Sequence, residues 1–258
     1  MTDSITQADR FRALHVAGRP LVIFNVWDAG SAKVVAVAGA KALATGSWSV
    51  AAAHGVSDGE ALSLDLVVSN LERIIAATDL PVSIDIESGY GPEPGVVART
   101  VERVARAGAI GCNLEDSNPG DGSLRPLDEA ASRVAAARAA FDRAASSRGF
   151  VNARTDVFFQ RPPETHDVAM ADAALERARA YADAGADGLF VPGIVDERLI
   201  ARVVAGSPLP VNVMVMGGTP PVSRLAALGV ARISHGPGPY RLAMAALEEA
   251  ARAALRAA

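Results

Sequence analysis

The chain has 258 residues, half of them apolar, with a formal net charge of −4 and one cysteine. The absence of a basic block argues against a nucleic-acid partner, and a lone Cys112 excludes an internal disulfide and fits a reducing cytoplasm. The most apolar stretches are broken within ~18 residues and the N-terminus has no apolar signal region, so we expect neither a membrane span nor secretion.

In chain order, a helix at 4–17 comes first and is predicted to close the base of a barrel. Eight short apolar runs follow, most of them continuous, as expected for strands covered on both faces. The predicted strands are 21–24, 42–45, 82–86, 111–114, 151–153, 188–191, 211–215 and 232–234. The predicted helices between and after them are 30–39, 61–77, 95–107, 128–145, 168–184, 196–205, 220–228 and 239–256.

A glycine stop recurs where a helix should end and the next strand should begin. Gly39, Gly108, Gly185 and Gly229 occupy this position, and glycine accepts the left-handed conformation that ends many helices. The repetition indicates a repeated β–α unit. Together with a length near the usual 250 or so residues, it predicts one (β/α)8 TIM barrel over 1–258. An open doubly wound sheet is the alternative, but its phosphate loop is poorly matched by NVWDAGS (25–31).

Four carboxylates lie at or just past the ends of the third and fourth predicted strands: Asp85, Glu87, Glu115 and Asp116. Asp85 and Glu87 are two residues apart and should point the same way on a strand. Carboxylates gathered at one rim repel each other, and a hard cation such as Mg²⁺ resolves this through oxygen ligands and water. Ion pairs with nearby arginines are the alternative. The glycine turn at 89–91 would let backbone approach a ligand closely and favours the metal.

Two side chains of the fifth predicted strand, Asn152 and Arg154, should face the same rim. A rim arginine can clamp a substrate carboxylate bidentately, which makes Arg154 a substrate-binding and catalytic candidate. An ion pair with Asp156 or Glu115 is the alternative. Asn152 and Asp85 are further candidates for substrate binding.

The segment after the second predicted strand offers hydroxyls and free backbone N–H groups that can bind an anionic oxygen. Its candidates for substrate binding are Thr45, Gly46, Ser47 and Trp48, although Trp48 suits a packing role equally well. Asp58 follows in the same connection and could join the water shell of the metal.

Other residues at this face leave two interpretations open. His235 ends the eighth predicted strand and is a proton donor or acceptor, or a structural histidine. Cys112 is better explained as a buried structural thiol than as a nucleophile.

The long connections 117–128 and 158–167 lie on the catalytic face, and 117–128 is predicted to act as a lid rather than a simple linker. His15 and His166 are predicted to be peripheral.

At these residues the sequence resembles the isocitrate lyase/phosphoenolpyruvate mutase superfamily. The resemblance extends from about 24 to 241, and its most specific part is DIESGYG (85–91) followed by LED (114–116). It implies Mg²⁺, with Mn²⁺ possible, bound by Asp85, and implies that Asp58, Glu87 and Glu115 act mostly through water. It also implies that the substrate carboxylate binds to the amides of 46–48 and to Arg154. Glu87 replaces the aspartate of the family pattern.

The lid sequence departs from the family more than the acidic motif does. Isocitrate and methylisocitrate lyases carry a KKCGH lid whose cysteine is the acid/base, whereas 117–128 is SNPGDGSLRPLD. Ser117 replaces the lysine of the phosphonate enzymes and only Asn118 remains as an amide. Those activities are therefore disfavoured, while decarboxylation of oxaloacetate needs no nucleophile.

The first hypothesis is a Mg²⁺-dependent lyase that breaks a C–C bond in a small 2-oxo or 2-hydroxy dicarboxylate through a metal-stabilised enolate, with Arg154, Glu115 and His235 as catalytic candidates. The second is a phosphonopyruvate-type P–C enzyme, and the third is a non-catalytic barrel that binds a 2-oxo acid. The amphipathic segment 240–258 needs a packing partner. The resemblance implies a dimer or tetramer that exchanges this helix.

Overall fold

The computed structural model describes residues 6–144 and 148–256. It contains eight strands: β1 (Leu21–Ile23), β2 (Leu43–Ala44), β3 (Val82–Asp85), β4 (Gly111–Glu115), β5 (Phe150–Arg154), β6 (Gly188–Val191), β7 (Val211–Met214) and β8 (Arg232–Ser234). All pairs are parallel, in the order β1-β8-β7-β6-β5-β4-β3-β2. A bridge between Val26 and Thr45 joins the two ends of the sheet. The predicted (β/α)8 barrel is confirmed, and the open sheet is excluded.

Helices surround this sheet and begin and end close to the predicted positions. They are α1 (Gln7–Ala13), α2 (Ala29–Val37), α3 (Ser47–Ala53), α4 (Leu64–Ile75), α5 (Pro94–Arg106), α6 (Leu127–Ala144), α7 (Val168–Asp183), α8 (Glu197–Gly206), α9 (Val222–Ala227) and α10 (Gly238–Arg256). α1 is shorter than the predicted 4–17. The first part of that prediction, and residue 145 of another, lie outside the described residues.

The short helix α3 was not predicted. It begins directly after β2, with Gly46 at its N-cap and no side chain bonded to its first N–H groups. Sequence rules find a helix start from a Ser, Thr, Asp or Asn cap, and this start has none. The predicted free N–H groups of this segment are therefore the first turn of a helix, where such groups lack intrahelical partners.

The strand register lines up the polar side chains at the carboxyl end of the barrel. Asp85 pairs with Asn113, and Asn113 pairs with Asn152. Two residues further along, Glu115 pairs with Arg154. Because residues in register on neighbouring strands face the same side of the sheet, these five side chains form two adjoining rows.

Aromatic side chains close the opposite end of the barrel. Phe11 of α1 is fully buried, with its ring centroid 5.3 Å from that of Phe150. His15 stacks on Phe150 at 4.2 Å, and burial lowers its pKa to about 3. The buried guanidinium of Arg232 lies 5.7 Å from the Phe11 ring. His15, half-buried just after α1, therefore lies at the end of the barrel opposite to the carboxyl ends of the strands.

An apolar groove lies on the outside of the barrel beside β1. It has a volume of about 750 Å³ and includes the exposed side chains of Val22, Phe24 and Val34. In the usual order of the fold, the last helix would cover this position. Instead α10 leaves its residues from 241 onward exposed, apart from the half-buried Ala243. Within 6–144 and 148–256, no helix is long and apolar enough to cross a bilayer.

Candidate active site

A cavity of about 200 Å³ opens at the carboxyl end of the barrel. This volume is below the usual range for drug-sized ligands, about 300–1000 Å³, and suits a small substrate. Active sites of (β/α)8 enzymes lie at this end. The lining residues are Asn25, Gly46, Ser47, Trp48, Asp58, Asp85, Asn113, Arg154, Phe159, Phe190, Met214, Ser234, Gly236 and Pro237.

Asp85 lies at the end of β3, with its carboxylate at the start of α3. The backbone N–H of Ser47 is 3.5 Å from Oδ2 of Asp85, and the backbone N–H of Asp85 donates to the hydroxyl of Thr45 at 2.9 Å. Thr45 is buried and does not line the cavity. The structure therefore gives Thr45 the role of fixing Asp85, in place of the predicted contact with substrate, while Gly46, Ser47 and Trp48 do line the cavity.

Asp58 faces the same cavity as Asp85, and the two carboxylates repel each other. Burial raises the pKa of Asp58, and the charge of Asp85 raises it further, while a hydrogen bond from Ser47 opposes the shift. This is the situation that a bound cation would relieve, because it favours the ionised form of both groups.

Glu87 lies outside the cavity, contrary to the expectation that it points the same way as Asp85. β3 ends at Asp85, and Glu87 has a left-handed backbone with φ of 50°. Its Oε2 accepts the N–H groups of Gly59, at 2.7 Å, and Glu60, and its Oε1 accepts the hydroxyl of Tyr90. The carboxylate thus holds the connection that carries Asp58.

Burial, together with the charges of Asp58 and Asp85, raises the pKa of Glu87 to about 7. The folded protein therefore retains a proton that the unfolded chain loses near pH 4.5. Between about pH 4.5 and pH 7 the folded state therefore binds more protons than the unfolded state. The free energy of unfolding falls as the pH rises through this range, by up to about 3 kcal/mol from Glu87.

We expect Glu87→Gln to weaken this pH dependence in the metal-free protein. Urea unfolding in EDTA at about pH 5 and about pH 8 measures it, with Glu72→Gln on the exposed face of α4 as the control. The difference in stability between the two pH values should be smaller in Glu87→Gln than in wild type or Glu72→Gln. Equal pH dependence in all three proteins would contradict the assignment.

Arg154 is held by two carboxylates rather than left free for substrate. Its Nε and Nη2 donate to Asp156 at 2.6 and 2.9 Å, and its Nη1 lies 2.7 Å from Oε2 of Glu115. Burial opposes its charge, but Glu115 and Asp156 raise the pKa of Arg154 overall. Burial raises the pKa of Glu115 well above its usual range, and Arg154 counteracts this. The ion-pair alternative is the arrangement found.

Behind this pair, Asp116 connects the strand ends to α7. It accepts the hydroxyl of Tyr181 at 2.6 Å, Arg177 at 3.0 Å and the N–H of Asp156 at 2.9 Å. Burial raises the pKa of Asp116, and these donors oppose the rise. The sequence offered no signal for Arg177 or Tyr181, because helix α7 shows only a general mixture of charged and apolar residues.

Two asparagines at the cavity were missed by sequence reasoning. The Oδ1 of Asn25 accepts the N–H groups of His235, at 3.0 Å, and Gly236, at 2.8 Å. Asn113 accepts the amide of Asn152 at 2.8 Å, and Asn152 itself is buried below the lining. Asn152 therefore supports Asn113, instead of contacting substrate as predicted.

The side chain of His235 does not line the cavity. Its ring lies 5.1 Å from that of Phe24, whose side chain is 39% exposed on the outside of β1, and burial lowers its pKa. The structural interpretation of His235 fits this position better than the catalytic one. Cys112 is fully buried and burial raises its pKa, which agrees with a structural thiol.

The connection 117–128 folds back on itself beside the cavity without lining it. Ser117 and Leu124 form an antiparallel bridge, and the Ser117 hydroxyl donates to Asp156 at 2.6 Å. The amide of Asn118 donates to Ser123. The connection 158–167 does contribute to the cavity, through Phe159. Closure of 117–128 as a lid stays a prediction.

The donor set of the cavity fits a hard divalent cation. Asp85, at the end of β3, and Asp58, in the connection between α3 and α4, supply carboxylate oxygens, and Asn113 and Ser47 add neutral oxygens. Among residues 6–144 and 148–256, no three Asp, Glu, His or Cys side chains lie close enough to hold a metal by themselves. Mg²⁺ tolerates this, because it keeps several waters and needs only one or two carboxylates.

The sequence profile described as Phosphoenolpyruvate phosphomutase matches residues 11–255. The chain belongs to this family. The crystal structure of a proposed phosphonomutase from Burkholderia cenocepacia J2315 is 60% identical, with a TM-score of 0.93 over 96% of this chain and 98% of that one. The present chain is also 34% identical to the 2-methylisocitrate lyase of Salmonella typhimurium, over 81% of its own length and 71% of the lyase.

A third relative is the oxaloacetate decarboxylase of Bradyrhizobium sp. strain BTAi1, which is 30% identical over 89% of this chain and 78% of its own length. The predicted membership of the isocitrate lyase/phosphoenolpyruvate mutase superfamily is confirmed. The chain is accordingly an enzyme of a superfamily whose members act on C–C or P–C bonds.

Proposed function

We propose that this enzyme is a Mg²⁺-dependent lyase that decarboxylates a small 2-oxo dicarboxylate, with oxaloacetate as the first substrate to test. The observation that carries the proposal is the cavity lining. In the described parts of the chain it includes two carboxylates, Asp58 and Asp85, but no Cys, His, Lys or Tyr side chain. A reaction that needs no side-chain nucleophile or general base suits such a site.

In this reaction the C3–C4 bond of oxaloacetate breaks and carbon dioxide leaves. The electron pair passes to C3 and the 2-oxo group as an enolate, and C3 then takes a proton from water to give pyruvate. Asp85 and Asp58 would hold Mg²⁺, which when bound supplies Lewis-acid stabilisation of the enolate oxygen. The N–H groups at the start of α3 would bind the C1 carboxylate.

The remaining side chains would orient the substrate and exclude water. Phe159, Phe190 and Met214 form an apolar wall, which strengthens the electrostatic interactions inside the cavity. Arg154 lines the same cavity, and its pairing with Glu115 and Asp156 fixes its position. Its positive charge would favour the dianionic substrate without a direct bidentate clamp.

P–C bond cleavage in a substrate such as phosphonopyruvate is the second candidate. The 60% identity to a proposed phosphonomutase favours it. The side chains of Ser117 and Asn118 argue against it. Ser117 stands in place of the lysine of the phosphonate enzymes and donates to Asp156, and Asn118 donates to Ser123, so both donors are used within the protein. Phosphorus NMR after incubation with phosphonopyruvate and Mg²⁺ distinguishes the two reactions.

Pyruvate release from oxaloacetate, corrected for the spontaneous reaction in Mg²⁺ without enzyme, tests the main proposal. We expect turnover that saturates with Mg²⁺ and stops in EDTA. Turnover that persists in EDTA would contradict it, as would no turnover of any 2-oxo or 2-hydroxy dicarboxylate. Thermal stabilisation by 2-oxoglutarate without turnover of any acid would favour a binding role instead.

We also propose that α10 occupies the groove beside β1 of a second copy of the chain. The helix exposes Leu242 and Leu247, and the groove exposes Val22 and Phe24. These surfaces are apolar, and mutual exchange of α10 between two copies would cover both.

We expect Leu242→Glu with Leu247→Glu to convert the oligomer into a monomer in light scattering, because two charges would have to be buried in the groove. The control is Leu66→Glu, which places a charge on the exposed face of α4. A wild-type monomer, or an unchanged assembly in the double variant, would contradict the exchange.

A further inference from the structure

Arg241 places a positive charge beside the mouth of the cavity. It lies in the first turn of α10, four residues after Pro237, which lines the cavity with Gly236, and its N–H donates to the carbonyl of Pro237 at 3.1 Å. Its guanidinium carbon lies 4.6 Å from the ring centroid of Trp48, another lining residue. Stacking of a guanidinium on an indole ring is attractive and fixes the plane of its N–H groups.

Aromatic contacts fix the position of this stack. The Tyr240 ring meets Trp48 edge-on at 6.0 Å and Trp27 edge-on at 5.2 Å. Trp48 belongs to α3, whose first residues also line the cavity. The chain thus ties Arg241 to the same helix that is proposed to bind the substrate carboxylate.

The two arginines at this end of the barrel differ in their partners. Arg154 uses Nε, Nη1 and Nη2 on Asp156 and Glu115. The guanidinium of Arg241 has no hydrogen-bond or ion-pair partner within 6–144 and 148–256. An exposed arginine is always charged and presents several N–H donors in one plane. Arg241 is therefore available to bind an anionic group, whereas Arg154 is already paired.

We propose that Arg241 binds the distal carboxylate of a 2-oxo dicarboxylate as it enters the cavity, and so sets the preference for dicarboxylates over monocarboxylates at the binding step, before that carboxylate leaves the guanidinium and departs in the proposed reaction. A substrate held at its C1 carboxylate by the start of α3 would extend past Trp48 toward this guanidinium. The identity of the substrate rests on the proposed function, but the binding preference does not require turnover.

Two acids that differ only in the distal carboxylate, 2-oxoglutarate and 2-oxobutyrate, test the proposal by calorimetry in Mg²⁺. The variants are Arg241→Gln, Arg241→Lys and, as the control on the same helix, Arg252→Gln, whose side chain pairs with Glu248. We expect Arg241→Gln to weaken 2-oxoglutarate binding about tenfold, the effect of losing one charged hydrogen bond, and to leave 2-oxobutyrate binding unchanged.

Arg241→Lys should retain part of the preference, and Arg252→Gln should retain all of it. The proposal would be overturned if wild type bound both acids equally or neither of them, or if Arg241→Gln weakened both to the same extent. If the enzyme fails to decarboxylate oxaloacetate but this preference is present and lost in Arg241→Gln, the proposed reaction is wrong and the role of Arg241 stands.

Discussion

Asp85→Asn is expected to reduce kcat/KM for oxaloacetate by more than about 100-fold, which is the upper end of the loss seen when only an outer partner of a metal is removed. Asp85 faces the cavity at the end of β3, and its charge raises the pKa of both Asp58 and Glu87. Replacing the carboxylate with an amide removes the strongest oxygen ligand and keeps the shape of the side chain.

Stability measurements separate this effect from misfolding. Asp85→Asn should remain folded and unfold in one cooperative urea transition in EDTA, because the loss of its attraction for Arg154 and Arg232 is offset by the loss of its repulsion of Asp58 and Glu87. Asp65→Asn, at a side chain that is 83% exposed and pairs with Arg103 on the surface, is the matched control and should retain full activity. Activity within a few-fold of wild type in Asp85→Asn would rule out Asp85 as the metal ligand.

Arg154→Met should lower the free energy of unfolding by about 3–5 kcal/mol, because it leaves buried carboxylates without their cation. The side chains of Glu115 and Asp156 are 14% and 5% exposed, and Arg154 is the basic partner of both. Urea unfolding near neutral pH measures the loss. Adding Glu115→Gln to Arg154→Met should restore part of it, since one of the two charges no longer needs a partner.

The surface pair between Arg143 and Glu102 provides the comparison. The Arg143 side chain is 58% exposed, so Arg143→Met should cost less than about 1 kcal/mol. If Arg154→Met lowered the free energy of unfolding no more than Arg143→Met does, the ion pairs at the cavity would stabilise the protein no more than a surface pair, and the prediction would be wrong. Arg154→Lys keeps a charge but loses the planar fork, and should fall between wild type and Arg154→Met.

The fold was predictable because its signals are local. Each strand is a short apolar run. The glycines predicted to end helices have a left-handed backbone conformation, with φ of 104° at Gly108 and 92° at Gly185. Asp85 could likewise be placed at the cavity, because a polar residue at the end of an apolar run falls at the carboxyl end of a parallel strand. Asp58 lies in the connection after α3, and its place was predicted from that connection and from the family resemblance.

The partners of the site residues were less predictable, because they depend on contacts between distant segments. The alternation of a strand gave the wrong direction for Glu87, since the strand ends at Asp85 and the backbone turns left-handed. Arg154 could be assigned to the rim, but the choice between Asp156, Glu115 and substrate needed coordinates. The pairing of Arg241 with Trp48 joins residues on α10 and α3 and left no pattern in the sequence.

A divalent metal centre built on Asp85 can be tested by direct metal binding, independently of any reaction. Titration with Mn²⁺ followed by electron paramagnetic resonance should show one site per chain in wild type. Asp85→Asn should weaken that site by more than about tenfold, and Asp65→Asn should leave it unchanged. Equal Mn²⁺ affinity in wild type and Asp85→Asn, or no binding to either, would contradict the account.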